Sequence, residues 1–332
     1  MRKWLIATVL LTLTGLAISA AYLYQQIWSP LAPEENIDYQ LKPGTSLSKV
    51  ANDLHKLGVL RSPIGLKLLA KLCKQSGKIQ SGTYRFSKAA TSEEILLRLV
   101  TGDVKKVGLT IPEGFTLAQV IDRIAQAGFG NKNKLEKLAN DPEFIKSLKL
   151  DVPNLEGYLY PETYLFTPGI DEAQLLRMLV EQFHNQLDPA LLKKAKQLNL
   201  NRHQLVTLAS IIEKETGLVK EMPLISSVFH NRLRRGIPLQ TDPTVIYGIK
   251  NFDGNLTRNH LKTPTPYNTY MIKGLPPGPI ANPGKAALNA AAEPAKSEYL
   301  YFVARGDGSH YFSKTLKEHN GAVRKYQLKR NR

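Results

Sequence analysis

The sequence predicts an α+β protein on one N-terminal transmembrane helix, with small α+β modules near the membrane and a larger mixed α+β domain beyond them. Three observations carry that prediction. A run without charged residues extends from Trp4 to Trp28. A strand–turn–helix unit beginning at Leu41 recurs without gaps at Ile111. Further on, helical periodicity alternates with breaks rich in Gly, Pro and aromatic residues.

About 20 apolar residues span a bilayer core as a helix, and Trp4, Tyr22, Tyr24 and Trp28 suit its two interfaces. Ala17-Ile18-Ser19-Ala20 resembles a signal-peptide cleavage site, but the uncharged run is long for a cleaved leader and reads as an anchor. Arg2 and Lys3 hold the N-terminus in the cytoplasm and send the rest outside. The net charge of +17 favours polyanions; export removes nucleic acid as a partner. With 332 residues, 42% hydrophobic and 22% charged, the chain has length for two or three domains. We divide it into an anchor (1–28), a polar stalk (29–37), a membrane-proximal α+β region (38–135) and a larger domain (136–332). The one cysteine, Cys73, is in helical register with Leu66 and Leu69, which predicts a buried structural thiol. The histidines are scattered without metal-binding spacing, so no metal and no cofactor is expected.

The repeat is regular. Gly44 aligns with Gly114, Leu47 with Leu117, Val50 with Val120, Leu54 with Ile124 and Gly58 with Gly128. Each copy reads as a Gly turn, a Ser/Thr cap, an amphipathic helix and a Gly stop. "SGTYRFSKAATSEEILLRLVTG" is a looser third version with Thr91 as its cap. The short unit resembles LysM-type modules, which implies binding to N-acetylglucosamine polymers; a purely structural use fits the pattern equally.

From Glu143 to Ala195 helical periodicity dominates, broken by the aromatic "LEGYLYPETYLFTPG" with Glu156 and Glu162. Two helices follow, Arg202 to Thr216 with Asn201 as cap, and Met222 to Arg235. Residues 236–283 show little regular pattern, which is long for a plain connection; their tyrosines argue for an ordered, functional segment rather than disorder. A helix from Lys285, a hairpin turning at "RGDG" and a basic helical tail complete the chain.

Within "LASIIEKETG" two carboxylates stand two positions apart, so they point about 200° apart on a helix. Leu205, Leu208, Ile211 and Ile212 define the buried face. Glu215 lies within about 50° of its centre and Glu213 about 110° away, so Glu215 is the inward acid. Apolar walls and the helix C-terminus both raise a carboxyl pKa, as general acid catalysis requires; a bond to a structural partner would also account for an inward Glu. No nucleophile elbow, P-loop or dinucleotide fingerprint is present. Such an acid among Gln, Asn, Thr and Tyr donors suits a sugar.

The stretches "LEGYLYPETY", "LASIIEKET", "NRL", "LQTDPTVIYG", "TPTPYNTY", "GLPPGPIANPG" and "AAEPAKSEYLYFV", in this order, closely resemble the endolytic murein transglycosylase, or YceG-like, family. The resemblance covers nearly all of the chain after the anchor. It implies a lytic transglycosylase in the cytoplasmic (inner) membrane, its catalytic domain periplasmic, cutting nascent peptidoglycan glycan strands to leave 1,6-anhydro-muramyl ends. The catalytic acid would be Glu215, with Glu213 as the runner-up. Gln240, Thr241, Asp242, Tyr247, Asn268, Thr269 and Tyr270 are candidates for substrate binding or for shaping the loop, and Glu162 for the cleft or a structural cap. Penicillin-binding glycan polymerases are the implied partners. A non-catalytic peptidoglycan-binding scaffold and a water-using muramidase with a second carboxylate are the competing readings.

Overall fold

The computed structural model describes residues 2–328, and for Arg2, Lys3 and Leu5 only the backbone. The orientation inferred from Arg2 and Lys3 therefore rests on side chains outside those described, and residues 329–332 of the basic tail lie outside as well. The chain is a mixed α+β protein with an N-terminal apolar helix, and it divides into two compact units, Met1–Val107 with Leu165–Gly169, and Gly108–Tyr164 with Ile170–Arg332.

In the first unit the helix Arg2–Trp28 exposes Trp4, Leu10, Leu11 and Leu16. From Ile6 to Trp28 it is long and apolar enough, by length and composition, to cross a membrane. Its last turn is rooted in protein. Ile27 is buried, the Gln26 carbonyl accepts from the Ser92 hydroxyl at 3.2 Å, and Gly65 passes so close that a Cβ there would lie 3.0 Å from the Gln26 oxygen. Strands Ile37–Leu41 and Gly82–Phe86 pair antiparallel, with Tyr39 opposite Tyr84. Helices Leu47–Lys56, Pro63–Leu72 and Ser92–Thr101 cover them, closing a core of Val50, Leu54, Leu66, Tyr84, Ile95 and Leu99. Thr91 caps the third of these through a full capping box with Glu94.

Cys73 departs from the expectation of a buried thiol: it is exposed. Its helix ends at Leu72, leaving Cys73 as the C-cap, and the packed face of that helix stops at Leu69 and Ala70, one turn short of the thiol.

The second unit opens with the second repeat copy. Gly114 and Gly128 take left-handed φ of 72° and 78°, where Gly44 and Gly58 of the first copy take 76° and 70°. Thr116 and Gln119 form a capping box on the helix Leu117–Gln126. At the centre lies the helix Arg202–Glu215, capped by Asn201. Every residue from Leu205 to Ile212 is buried, so this is a core helix, and its depth fixes where its last turn emerges. Helix Lys285–Ala292 packs along it, the small Ala287, Ala290 and Ala291 permitting close approach. Helix Met222–Arg234 packs on both. Strands Tyr301–Ala304 and His310–Ser313 form the predicted hairpin, and helix Leu316–Val323 lies on it.

The segment 236–283 is ordered, as its tyrosines predicted, with two short helices, Asp242–Tyr247 and Arg258–Lys262. Its remaining order comes from side chains. The Asn268 amide nitrogen lies 2.7, 3.1 and 3.3 Å from the carbonyl oxygens of Thr263, Leu261 and His260.

Candidate active site

The two carboxylates at the end of helix Arg202–Glu215 face different surroundings, as their spacing requires. Glu213 accepts the amide of Gly284 at 3.0 Å and so satisfies a donor where helix Lys285–Ala292 begins. Burial raises its pKa; the Gly284 bond opposes that and Glu113 adds to it. Glu215, half-buried, instead faces a cavity of about 420 Å³ walled also by Arg232, Gln240, Asp242, Tyr270, Tyr301 and His310. The Thr241 hydroxyl donates to its Oε1. Burial pushes the Glu215 carboxyl up to about 7, against the Thr241 bond and with help from the negative Asp242. A carboxylic acid that keeps its proton near neutrality, with room beside it for a polar ligand, has the properties of a general acid.

The loop over Glu215 is held tightly. Gln240 sits at φ 52°, a left-handed conformation that costs a non-glycine residue on the order of 1 kcal/mol. Three contacts hold it there. Its amide donates to the Thr269 carbonyl at 3.1 Å, its Oε1 accepts from Arg232 at 3.1 Å, and the next amide, Thr241, donates to the Thr269 hydroxyl at 3.1 Å. Arg232 is buried and also donates to the carbonyls of Pro238, Leu239 and Leu300 at 3.0, 3.0 and 2.6 Å. Asp242 accepts from the Tyr270 hydroxyl at 2.7 Å.

The structure thus brings Gln240, Thr241, Asp242, Thr269 and Tyr270 to Glu215, with Thr269 buried beneath the loop. The other candidates lie elsewhere. Asn268 is fully buried and its amide is occupied by loop carbonyls. The Tyr247 hydroxyl donates to Glu156 at 3.0 Å, and the exposed Glu162 accepts from Gln182 at 2.7 Å. Sequence reasoning missed Arg232 and Glu156. Arg232 lies in the "NRL" stretch, but its partners are carbonyls, which side-chain patterns do not reveal. Glu156, 4% exposed, accepts from the Leu117 amide at 2.9 Å as well as from Tyr247, and burial outweighs those bonds to push it to about 7. Its place in an aromatic-dense break was the available signal.

Size alone does not select this cavity. Two others, about 540 and 650 Å³, have respectively no carboxylate in their walls and only the exposed Glu293. Among the described residues no group of three or more His, Cys, Asp or Glu could hold a metal ion.

Comparison with known proteins adds four findings. The model of the YceG-like family matches residues 39–325. The endolytic murein transglycosylase of Bacillus subtilis is 34% identical over 336 residues, 95% of this chain and 92% of that protein. The protein of the same name from Streptococcus pneumoniae is 27% identical over 97% of this chain and 65% of its own length. Among solved structures, a putative yceG-like protein from Listeria monocytogenes matches with a TM-score of 0.60 at 34% identity, covering 87% of this chain and 99% of that one.

Proposed function

The chain belongs to the YceG-like family, and we propose that it is a membrane-anchored peptidoglycan lytic transglycosylase with Glu215 as its catalytic acid. The observation that carries this reading is a carboxyl with a pKa near 7, facing a polar cavity at the end of a rigid core helix. Glu215 protonates the bridging oxygen between N-acetylmuramic acid and N-acetylglucosamine, and the muramyl C1 gains oxocarbenium character as that bond breaks. The sugar's own C6 hydroxyl then closes on C1, giving up its proton to a base in the cavity and leaving a 1,6-anhydro end. Intramolecular attack competes with water because effective molarities of well-placed groups are very large. Gln240, Asp242 and Tyr270 supply hydrogen bonds and a ring face to the glycan, while Arg232 and Thr269 keep the loop in place.

The finer features follow the same reading. Ile6–Trp28 anchors the enzyme in the inner membrane with the second unit periplasmic; the helix's exposed apolar surface and its rooted last turn support this. Residues 29–37 serve as a stalk, and the membrane-proximal region (38–135), with its two LysM-like turn–helix copies, guides glycan toward the catalytic domain (136–332). The +17 net charge attracts stem-peptide carboxylates. Penicillin-binding polymerases supply the nascent strands.

The test is digestion of purified peptidoglycan by the full chain in detergent, beside Glu215→Gln, with products read by mass spectrometry. We expect anhydro-muramyl ends from the intact protein and a loss of about 10³-fold in the variant. Reducing ends would shift the assignment to a muramidase, with Asp242 as the second carboxylate in the cavity. Full activity in Glu215→Gln would move the acid to Glu213, and no cleavage by either would favour the scaffold.

A further inference from the structure

His310 stands in the wall of the cavity that Glu215 faces, and the mechanism above leaves it unused. Its imidazole is fixed on several sides. Nδ1 lies 2.8 Å from Glu221 Oε2, the His310 amide reaches both Glu221 oxygens at 3.2 Å, and the Phe302 ring meets it edge-on with centroids 5.5 Å apart. A carboxylate oxygen accepts, so Nδ1 is the donor of this pair, which leaves Nε2 as the ring nitrogen able to accept. Among the described residues Nε2 makes no hydrogen bond, and it is not a sealed-off buried atom. No carboxylate among the described residues orients the His319 ring, which lines the same cavity, and two further histidines are spent elsewhere. His203 has both nitrogens engaged, with Tyr158 and the Pro277 carbonyl, and His230 spends its Nε2 on the Ala291 carbonyl.

An imidazole turned by a carboxylate, standing in the wall of a substrate cavity with its other nitrogen unbonded, is the arrangement of an oriented general base. We propose that His310, oriented by Glu221, is a second catalytic residue that takes the proton of the attacking C6 hydroxyl. This rests on the transglycosylase reading. The Glu215 proton goes to the leaving sugar's O4 as the C1–O4 bond breaks; O6 bonds to C1 and its proton passes to Nε2. One proton has then left Glu215 and one has arrived at His310, so a transfer from imidazolium to carboxylate, directly or through water, restores both. Glu221 is a positioning residue that also balances the transient imidazolium charge.

The test uses the full chain in detergent on two substrates: glycan strands, and an aryl β-glycoside of N-acetylmuramic acid whose leaving group needs no protonation. His310→Ala should lose about 100-fold in kcat on both substrates, with KM nearly unchanged, and added imidazole should restore part of the rate. His310→Gln, which can keep a bond to Glu221, covers the case in which the alanine variant does not fold, and should be as slow. Glu221→Gln should lower kcat about tenfold, again with KM unchanged. Glu215→Gln should be slow on glycan only. The proposal is overturned if folded His310 variants stay within about threefold of the intact protein, if they change KM alone, or if Glu215→Gln is equally slow on both substrates. Reducing ends from the intact protein would overturn the parent reading, and with it O6 as the group His310 deprotonates.

Discussion

The two copies of the Gly-turn and capped-helix unit have nearly the same backbone and opposite surroundings. In the first, Gly44 is exposed, with nothing within 4 Å of where a Cβ would stand, and Leu47 is half-buried. In the second, Gly114 and Leu117 are buried. The Gly114 amide donates to the Asn282 carbonyl at 2.9 Å and its own carbonyl accepts from Lys214 at 3.2 Å. Phe115 accepts from both the backbone and the side chain of Asn282 at 2.8 Å, and Leu117 donates to Glu156. Lys214 is the residue between Glu213 and Glu215, so the second turn braces the helix end that carries the proposed acid. A local code sets the shape of such a unit, and the groups that face it set its use.

This contrast can be tested by removing what only the second copy has. Glu156 should give the largest effect. Its pKa is near 7 when folded, against 4.5 for an ordinary Glu. A raised pKa means that its stabilising contribution is complete below about pH 4.5 and lost as pH rises to about 7, a change of about 3 kcal/mol. Urea unfolding at pH 5 and pH 8 should therefore show a smaller pH dependence in Glu156→Gln by about that amount. An unaltered dependence would mean that the second turn does not rest on a protonated carboxyl.

Asn282→Ala should cost about 2 kcal/mol in the same titration, because it leaves the buried Leu159 amide, now bonded to Asn282 Oδ1 at 2.8 Å, without its partner. Loss of glycan cleavage beyond the loss of folded protein would place the brace in function as well as in stability. The caps come next. Ser46→Ala and Thr116→Ala should each cost about 1 kcal/mol, as each side chain accepts an amide at 3.3 Å; a much larger cost at Thr116 would show that surroundings, and not only local geometry, specify the second helix. The smallest difference is expected between Gly44→Ala and Gly114→Ala. Both place a side chain at positive φ and should cost about 1 kcal/mol, since a Cβ at Gly114 would meet Glu213 and Lys214 only at 3.6 Å.

The same division explains what could be read from the chain. Turn glycines, caps and helix stops act within a few residues, and so does the angle that sets Glu215 apart from Glu213. Cys73 keeps the helical period but not the burial, because the packed face of its helix stops at Leu69 and Ala70. Glu156 with Tyr247, and Glu221 with His310, are 91 and 89 positions apart, and no periodicity links such pairs. Arg232 escaped for a different reason: most of its partners are main-chain carbonyls, which every residue has.

Asn268 shows how finely the loop over the cavity is specified. Its Nδ2 carries two hydrogens, yet three carbonyl oxygens stand within 3.3 Å of it, while its Oδ1 accepts the Tyr270 amide at 3.0 Å. An aspartate would match it in shape almost atom for atom, but would turn a donor among lone pairs into another lone pair. Two hydrogen atoms on one amide therefore separate a chain that can close this segment from one that cannot, a distinction invisible to size, hydrophobicity or backbone preference.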